Sequence, residues 1–128
     1  MDCHQLFNRK LIDFADDLQN LRSMIGAEIP EIDAMSPAIT ATSAMFPTKP
    51  QELFHEYVSS KFEQHIVKHD DEFFLNLKAD DLTGETNTAD LVGLLKKIWG
   101  NLSVQNKNAI WKHLQVLLIL DKKCRGVL

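Results

Sequence analysis

Large apolar side chains recur along this chain three and four residues apart, the spacing of a helix face, and nowhere in the alternation of a half-buried strand. The clearest stripe is Phe7, Leu11, Phe14, Leu18, Leu21 and Ile25, set opposite Arg9, Asp13, Asp16, Asp17 and Asn20. It predicts an amphipathic helix over residues 4–25 that Gly26 stops. The C-terminal third predicts a helical hairpin. Leu91, Leu94, Leu95 and Ile98 line its first arm, and Gly100-Asn101-Leu102-Ser103 makes the turn, with Ser103 as a cap. The second arm carries Ile110, Trp111, Leu114, Leu117, Leu118 and Leu120. Because residues 116–120 are apolar without interruption, this arm is expected to be apolar nearly all round and to form the buried centre of the domain.

The middle of the chain is less regular. Residues 27–36, with Pro30 and acidic Glu28, Glu31 and Asp33, read as a connector, and Ser36-Pro37 then starts a short helix that Phe46-Pro47 ends. Thr48 opens the next helix, with Pro50 in its first turn and Gln51 placed to complete a capping box. That helix should reach His69 with Leu53, Phe54, Tyr57, Val58, Phe62 and Ile66 inward. Asp70-Asp71-Glu72 then caps a short piece, Phe73-Phe74-Leu75, expected to plug one end of the core. Residues 76–87 are polar, hold Gly84 and predict a loop, after which Thr88 caps the penultimate helix. The expected fold is all-α, a single-domain bundle of about five helices over residues 1–128 with a C-terminal helical hairpin.

Composition narrows this further. At 128 residues, 45% hydrophobic and 25% charged, the chain can bury a core without disulfides or a structural metal. Its longest apolar run falls far short of the ~20 residues of a membrane span, so no membrane partner is expected. The N-terminus has no basic segment followed by an apolar stretch, which points to an intracellular protein, in the cytoplasm or nucleus of a cell or an infected host. In that setting Cys3 and Cys124 are expected to be reduced and incidental, although a bridge between them would close nearly the whole chain. The net charge of −4 conceals a split: residues 1–92 hold 17 acidic against 7 basic side chains, and residues 93–128 hold 1 against 7. Either end offers a contact surface, unless folding pairs the two.

Chemistry-bearing patterns are sparse. His65 and His69 are one helical turn apart, and Glu52 and His55 form a single Glu-x-x-His. A zinc protease would need a glutamate where Ile66 stands, and a di-metal carboxylate site would need a second Glu-x-x-His, so no metal and no cofactor is assigned. The acidic stretch 80–87 fails as a calcium loop at its first ligand position, Ala79. No nucleophile or phosphate-cradling motif is present, and Cys3-His4 falls at an end expected to fray. A core of Leu, Ile, Val, Phe and Trp leaves no inward polar group for catalysis or ligand capture, and no catalytic residue is assigned. Trp99 and Trp111 are expected in the core rather than on an interface. The residues with a contact role are Lys112, Lys122, Lys123 and Arg125, reaching either protein or nucleic acid.

Asp-Asp-Glu-Phe-Phe-Leu at 70–75, the Leu-Lys-Lys-Ile-Trp and Ile-Trp-Lys-His-Leu-Gln-Val-Leu-Leu-Ile-Leu strings within 91–123, and Phe-Asn-Arg-Lys-Leu-Ile-Asp-Phe-Ala-Asp-Asp-Leu at 7–18 carry a resemblance. The chain resembles small uncharacterised helical proteins of large nucleocytoplasmic DNA viruses. The resemblance implies a viral origin and a role in virion structure or in engaging a host protein. It brings no site residues with it. The expected function is a non-enzymatic protein-interaction or structural module, with a nucleic-acid accessory role through the basic C-terminal end second and a metal-dependent enzyme third. Oligomeric state is left open.

Overall fold

Three long helices provide most of the core, and each is set by a stripe visible in the chain. The computed structural model describes residues 2–76 and 91–128, with the side chains of residues 74–76 and 91 also left outside the description. Among the described residues there are helices and no strand: α1 Cys3–Ile25, α2 Pro30–Met45, a continuous rod made of α3 Lys49–Phe54, a π turn His55–Ser59 and α4 Ser60–Lys68, then α5 Asp71–Asn76, α6 Leu91–Trp99 and α7 Val104–Cys124. With the rod counted once these are six helices, and the fold is all-α as expected.

α1 buries Phe7, Leu11, Phe14, Leu18 and Leu21, the stripe that predicts it. They join one cluster with Ile32, Met35 and Ile39 of α2, Phe54 and Val58 of the rod, Trp99 of α6 and Ile110, Trp111, Leu114, Leu117 and Leu118 of α7. α7 runs antiparallel to α1, as the contacts of Asp17 with His113 and of Cys3 with Cys124 require. The two tryptophans are fully buried and meet edge to face with ring centres 5.4 Å apart.

Three helix ends share one device. After α1, α4 and α7 a residue in the left-handed conformation, Gly26, His69 and Gly126, lets the next amide bond back to a carbonyl of the last turn: Ala27 to Arg22, Asp70 to His65 and Val127 to Lys122. Gly26 and Gly126 adopt positive φ without a side-chain clash, whereas His69 does so with a full side chain. At the other end of α1, Asp2 and Gln5 form a reciprocal capping box.

Several expectations need correction. α2 starts at Pro30, not Pro37, and carries Pro37 in its interior. A proline there costs about 3 kcal/mol, but Ile32, Met35 and Ile39 bury completely only if the helix is continuous, and each contributes roughly 1.5–3 kcal/mol. The stripe outweighs the breaker. The capping box at Thr48 does not form; the Thr48 hydroxyl donates to Glu52, and Gln51 turns into the interior. The end carrying Cys3 is not frayed, because the two cysteines are joined by a disulfide with Cα atoms 5.5 Å apart. They are brought together by the antiparallel packing of the first and last helices, which sequence spacing alone does not show.

The core is also not purely apolar, since Asn8, Gln51, Ser59 and Asp121 are buried in it. Nor is α7 enclosed all round: Val116 is 41% and Ile119 51% exposed. A bundle this small has too few helices to encircle its central one. Residues 77–90, with most of the expected loop, the calcium-like stretch and the Thr88 cap, lie outside the described residues. The plug at 73–75 is described only at Phe73, which packs half-buried on Phe62 and His65.

Replacing Leu117 with Ala should lower stability by about 2–5 kcal/mol in denaturant unfolding. Reducing the disulfide, or replacing Cys124 with Ser, should remove about 2–5 kcal/mol more, since the bridge closes a loop spanning 121 positions.

Candidate functional site

Asp121 sits on the inward side of α7 with no exposed surface. An ionised carboxylate there must be surrounded by donors. Gln51 Nε2 and Ser59 Oγ each donate to it at 2.6 Å, His55 Nδ1 lies 3.3 Å away, and the Arg125 guanidinium reaches it at 3.2 Å from one turn further along α7. The π turn contributes both His55 and Ser59, and the Ser60 amide bonds to the His55 carbonyl five residues back, which widens the helix there. His4 Nε2 of α1 hydrogen-bonds the side-chain amide oxygen Oε1 of Gln51 at 3.1 Å, so the network runs from the first helix through the rod to the last, beside the Cys3–Cys124 bridge.

Burial alone would raise the Asp121 pKa. The hydrogen bonds from Ser59, Gln51 and Arg125, with the Arg125 charge, win and hold it below the usual carboxylate value. This decides what the cluster can do. Ser59, His55 and Asp121 are the residue types of a hydrolytic triad, but here the carboxylate bridges serine and histidine, whereas a triad needs the histidine between them. Ser59 is 2% exposed and donates its proton to a group that is a poor base. The geometry suits holding helices together.

The histidines are all engaged. His65 pairs with Asp70 at 3.0 Å and stacks on Phe73, while His69 accepts from Gln115 and stacks on Trp111, so the two turn toward different neighbours. His113 pairs with Asp17 at 3.1 Å and stacks on Phe14. Glu52 is bound by Thr48 and does not join His55. Among the described residues no group of three or more metal-ligating side chains converges.

The four cations expected to make contacts divide in two. Arg125 is committed to buried Asp121, and Lys122 reaches Glu63 at 3.3 Å. Lys112 and Lys123 are exposed and have no carboxylate partner among the described residues. They bracket Val116 and Ile119, and positions 112, 116, 119 and 123 fall on one line of α7. Beside this line a groove of about 340 Å³ runs between α1 and α7, lined by Lys10, Asp13, Ala109, Lys112, His113 and Val116.

Sequence reasoning missed Asp121, Gln51 and Ser59. One signal was available: Asp121 is the sole acidic residue of the basic C-terminal stretch and stands three and four positions after inward Leu118 and Leu117. Nothing in the sequence marked Ser59, because the π turn that carries it inward has no pattern of its own.

Compared with protein-family models, with curated proteins and with solved structures, the chain matches none. No helix among the described residues is long and apolar enough to cross a membrane.

Asp121→Ala should cost about 1–3 kcal/mol at neutral pH, because it leaves the buried donors of Gln51 and Ser59 without an acceptor. Asp121→Asn should cost less and separate the charge from the shape. Since the folded pKa lies below the unfolded value of 3.8, the charge stabilises above that value and its contribution fades as pH falls through the lower folded pKa. The stability deficit of Asp121→Asn should therefore be full at pH 5–7 and shrink below about pH 3.8 in urea titrations.

Proposed function

We propose that this protein is a non-enzymatic interaction module whose contact surface is the outer face of α7 with the adjoining α1–α7 groove. The observation that supports this most is the exposure of Val116 and Ile119 on the helix whose other faces form the core. Two β-branched side chains in water gain from being covered, and the exposed Lys112 and Lys123 on either side supply a polar rim. The surface is built on a rigid element. Its rear is fixed by Asp121 and its side by α1, so a partner would meet a shape already formed.

A nucleic-acid role through the basic C-terminal end draws less support, since Lys122 and Arg125 are used within the protein and the remaining cations are interrupted by apolar residues. Catalysis draws little, because the one buried polar cluster described is closed to solvent at Asp121 and Ser59. With its resemblance to viral proteins, the module is proposed as a viral structural or host-engaging component. Of the locations the sequence suggests, cytoplasm, nucleus and virion, the virion suits a disulfide-joined pair of ends best.

A photo-crosslinking residue at position 119, in cells producing the protein, should give one discrete protein adduct, and the same residue at exposed Glu56 should not. Val116→Asp with Ile119→Asp should abolish adduct formation from position 123 while changing stability by only about 0.5 kcal/mol. Equal labelling from both faces, or none from position 119, would contradict the assignment.

A further inference from the structure

We infer that the occupant of this surface is an amphipathic helix of a partner protein carrying acidic residues at both ends of a short apolar stripe. The inference rests on the reading of the α7 face as an interface and adds the chemistry of what binds it. Lys112 and Lys123 are separated by three helical turns, about 16 Å along α7 at 1.5 Å per residue. Between them lie only Val116 and Ile119 on the same line, with the groove wall of Ala109 and His113 to one side. Lys10 of α1 adds a third cation along the groove. Asp13 also lines it and Asp17 lies 3.1 Å from lining His113, so the groove itself carries both signs and the charge of the partner is selected at the exposed ends of the stripe, Lys112 and Lys123. At physiological salt, charges more than about 8 Å away are largely screened, and the local sign decides what docks.

The length and shape of the feature select a helix. A straight ridge of two apolar side chains beside a shallow groove matches the apolar face of one helix laid alongside another, with anchors three and four residues apart. Carboxylates about three turns apart on the incoming helix would then meet Lys112 and Lys123. A second copy of this chain fits less well. Pairing two α7 helices antiparallel about a two-fold axis through Val116 and Ile119 would set Lys112 of each copy beside Lys123 of the other, and like charges in contact oppose association.

The test uses the full oxidised chain and two synthetic helix-forming peptides of about 18 residues. Both carry Leu at the centre of one face; one has Glu and the other Lys at the two flanking positions eleven residues apart. By fluorescence anisotropy the Glu peptide should bind about tenfold or more tighter than the Lys peptide. NMR shift changes should concentrate on residues 109–123 and on Lys10 and Asp13. In the double variant Lys112→Glu, Lys123→Glu the preference should invert, the Lys peptide now binding tighter, with the fold checked by an unchanged Tm.

Equal binding of the two peptides at this face would overturn the acidic-helix assignment while leaving the interface reading intact. Absence of binding by either would overturn the assignment too, and the crosslink from position 119 then judges the interface separately. A concentration-dependent dimer abolished by Ile119→Asp would replace the inferred partner with a second copy. Salt-sensitive binding of a 20-base-pair DNA duplex, lost in the same lysine double variant, would replace it with nucleic acid.

Discussion

A single carboxylate, Asp121, is shut away from water where the first helix, the rod and the last helix meet. A buried charge is tolerable only when it is paired and hydrogen-bonded, so its surroundings must be assembled before the fold is stable. Gln51, Ser59, His55 and Arg125 each supply a donor, and His4 supports Gln51 from behind. This requirement fixes the rotation of α7. At about 100° per residue, turning Asp121 inward also turns Leu114, Leu117 and Leu118 inward and places 112, 116, 119 and 123 on the opposite side. The same constraint that closes the core therefore aims the exposed stripe. The disulfide acts at the same end, tying the start of α1 to the end of α7 one turn beyond Asp121.

The charge split along the chain acquires a physical meaning from this arrangement. Part of the basic C-terminal stretch is neutralised within the fold, Arg125 by Asp121 and Lys122 by Glu63. His113 meets Asp17 of the acidic first helix. Lys112 and Lys123, which bracket Val116 and Ile119, stay exposed, as does Lys97 of α6. As the proposed interface, the α7 stripe would give orientation through its ends and contact area through its middle.

The long stripes were legible in the sequence. α1 with its Gly26 stop, the Ser103 cap, the inward leucines of α7 and the buried tryptophans all follow from local spacing, and local spacing is what a single sequence records. What was not legible depended on distant partners. Pro37 sits inside a helix because Ile32, Met35 and Ile39 pack on α1. Gln51 looked like a capping residue until Asp121, 70 positions away, claimed its amide. The cysteines looked incidental for want of a three-dimensional relation between the chain ends. Of the expected contact residues, Lys112 and Lys123 remain on the surface side, whereas Arg125 and Lys122 are drawn into internal pairs by acids on their own helix and on α4.

Residue-resolved amide hydrogen exchange at neutral pH tests most directly whether the Asp121 junction holds the fold together. The account predicts that the amides of residues 110–121 in α7, those of the π turn at 55–59 and those of residues 7–21 in α1 exchange only through global unfolding, all with one opening free energy, and that Asp121→Asn lowers that value for all three together. If the π turn and the end of α7 instead opened on their own, well below the global free energy and without loosening α1, the junction would be a peripheral contact and the account would be contradicted.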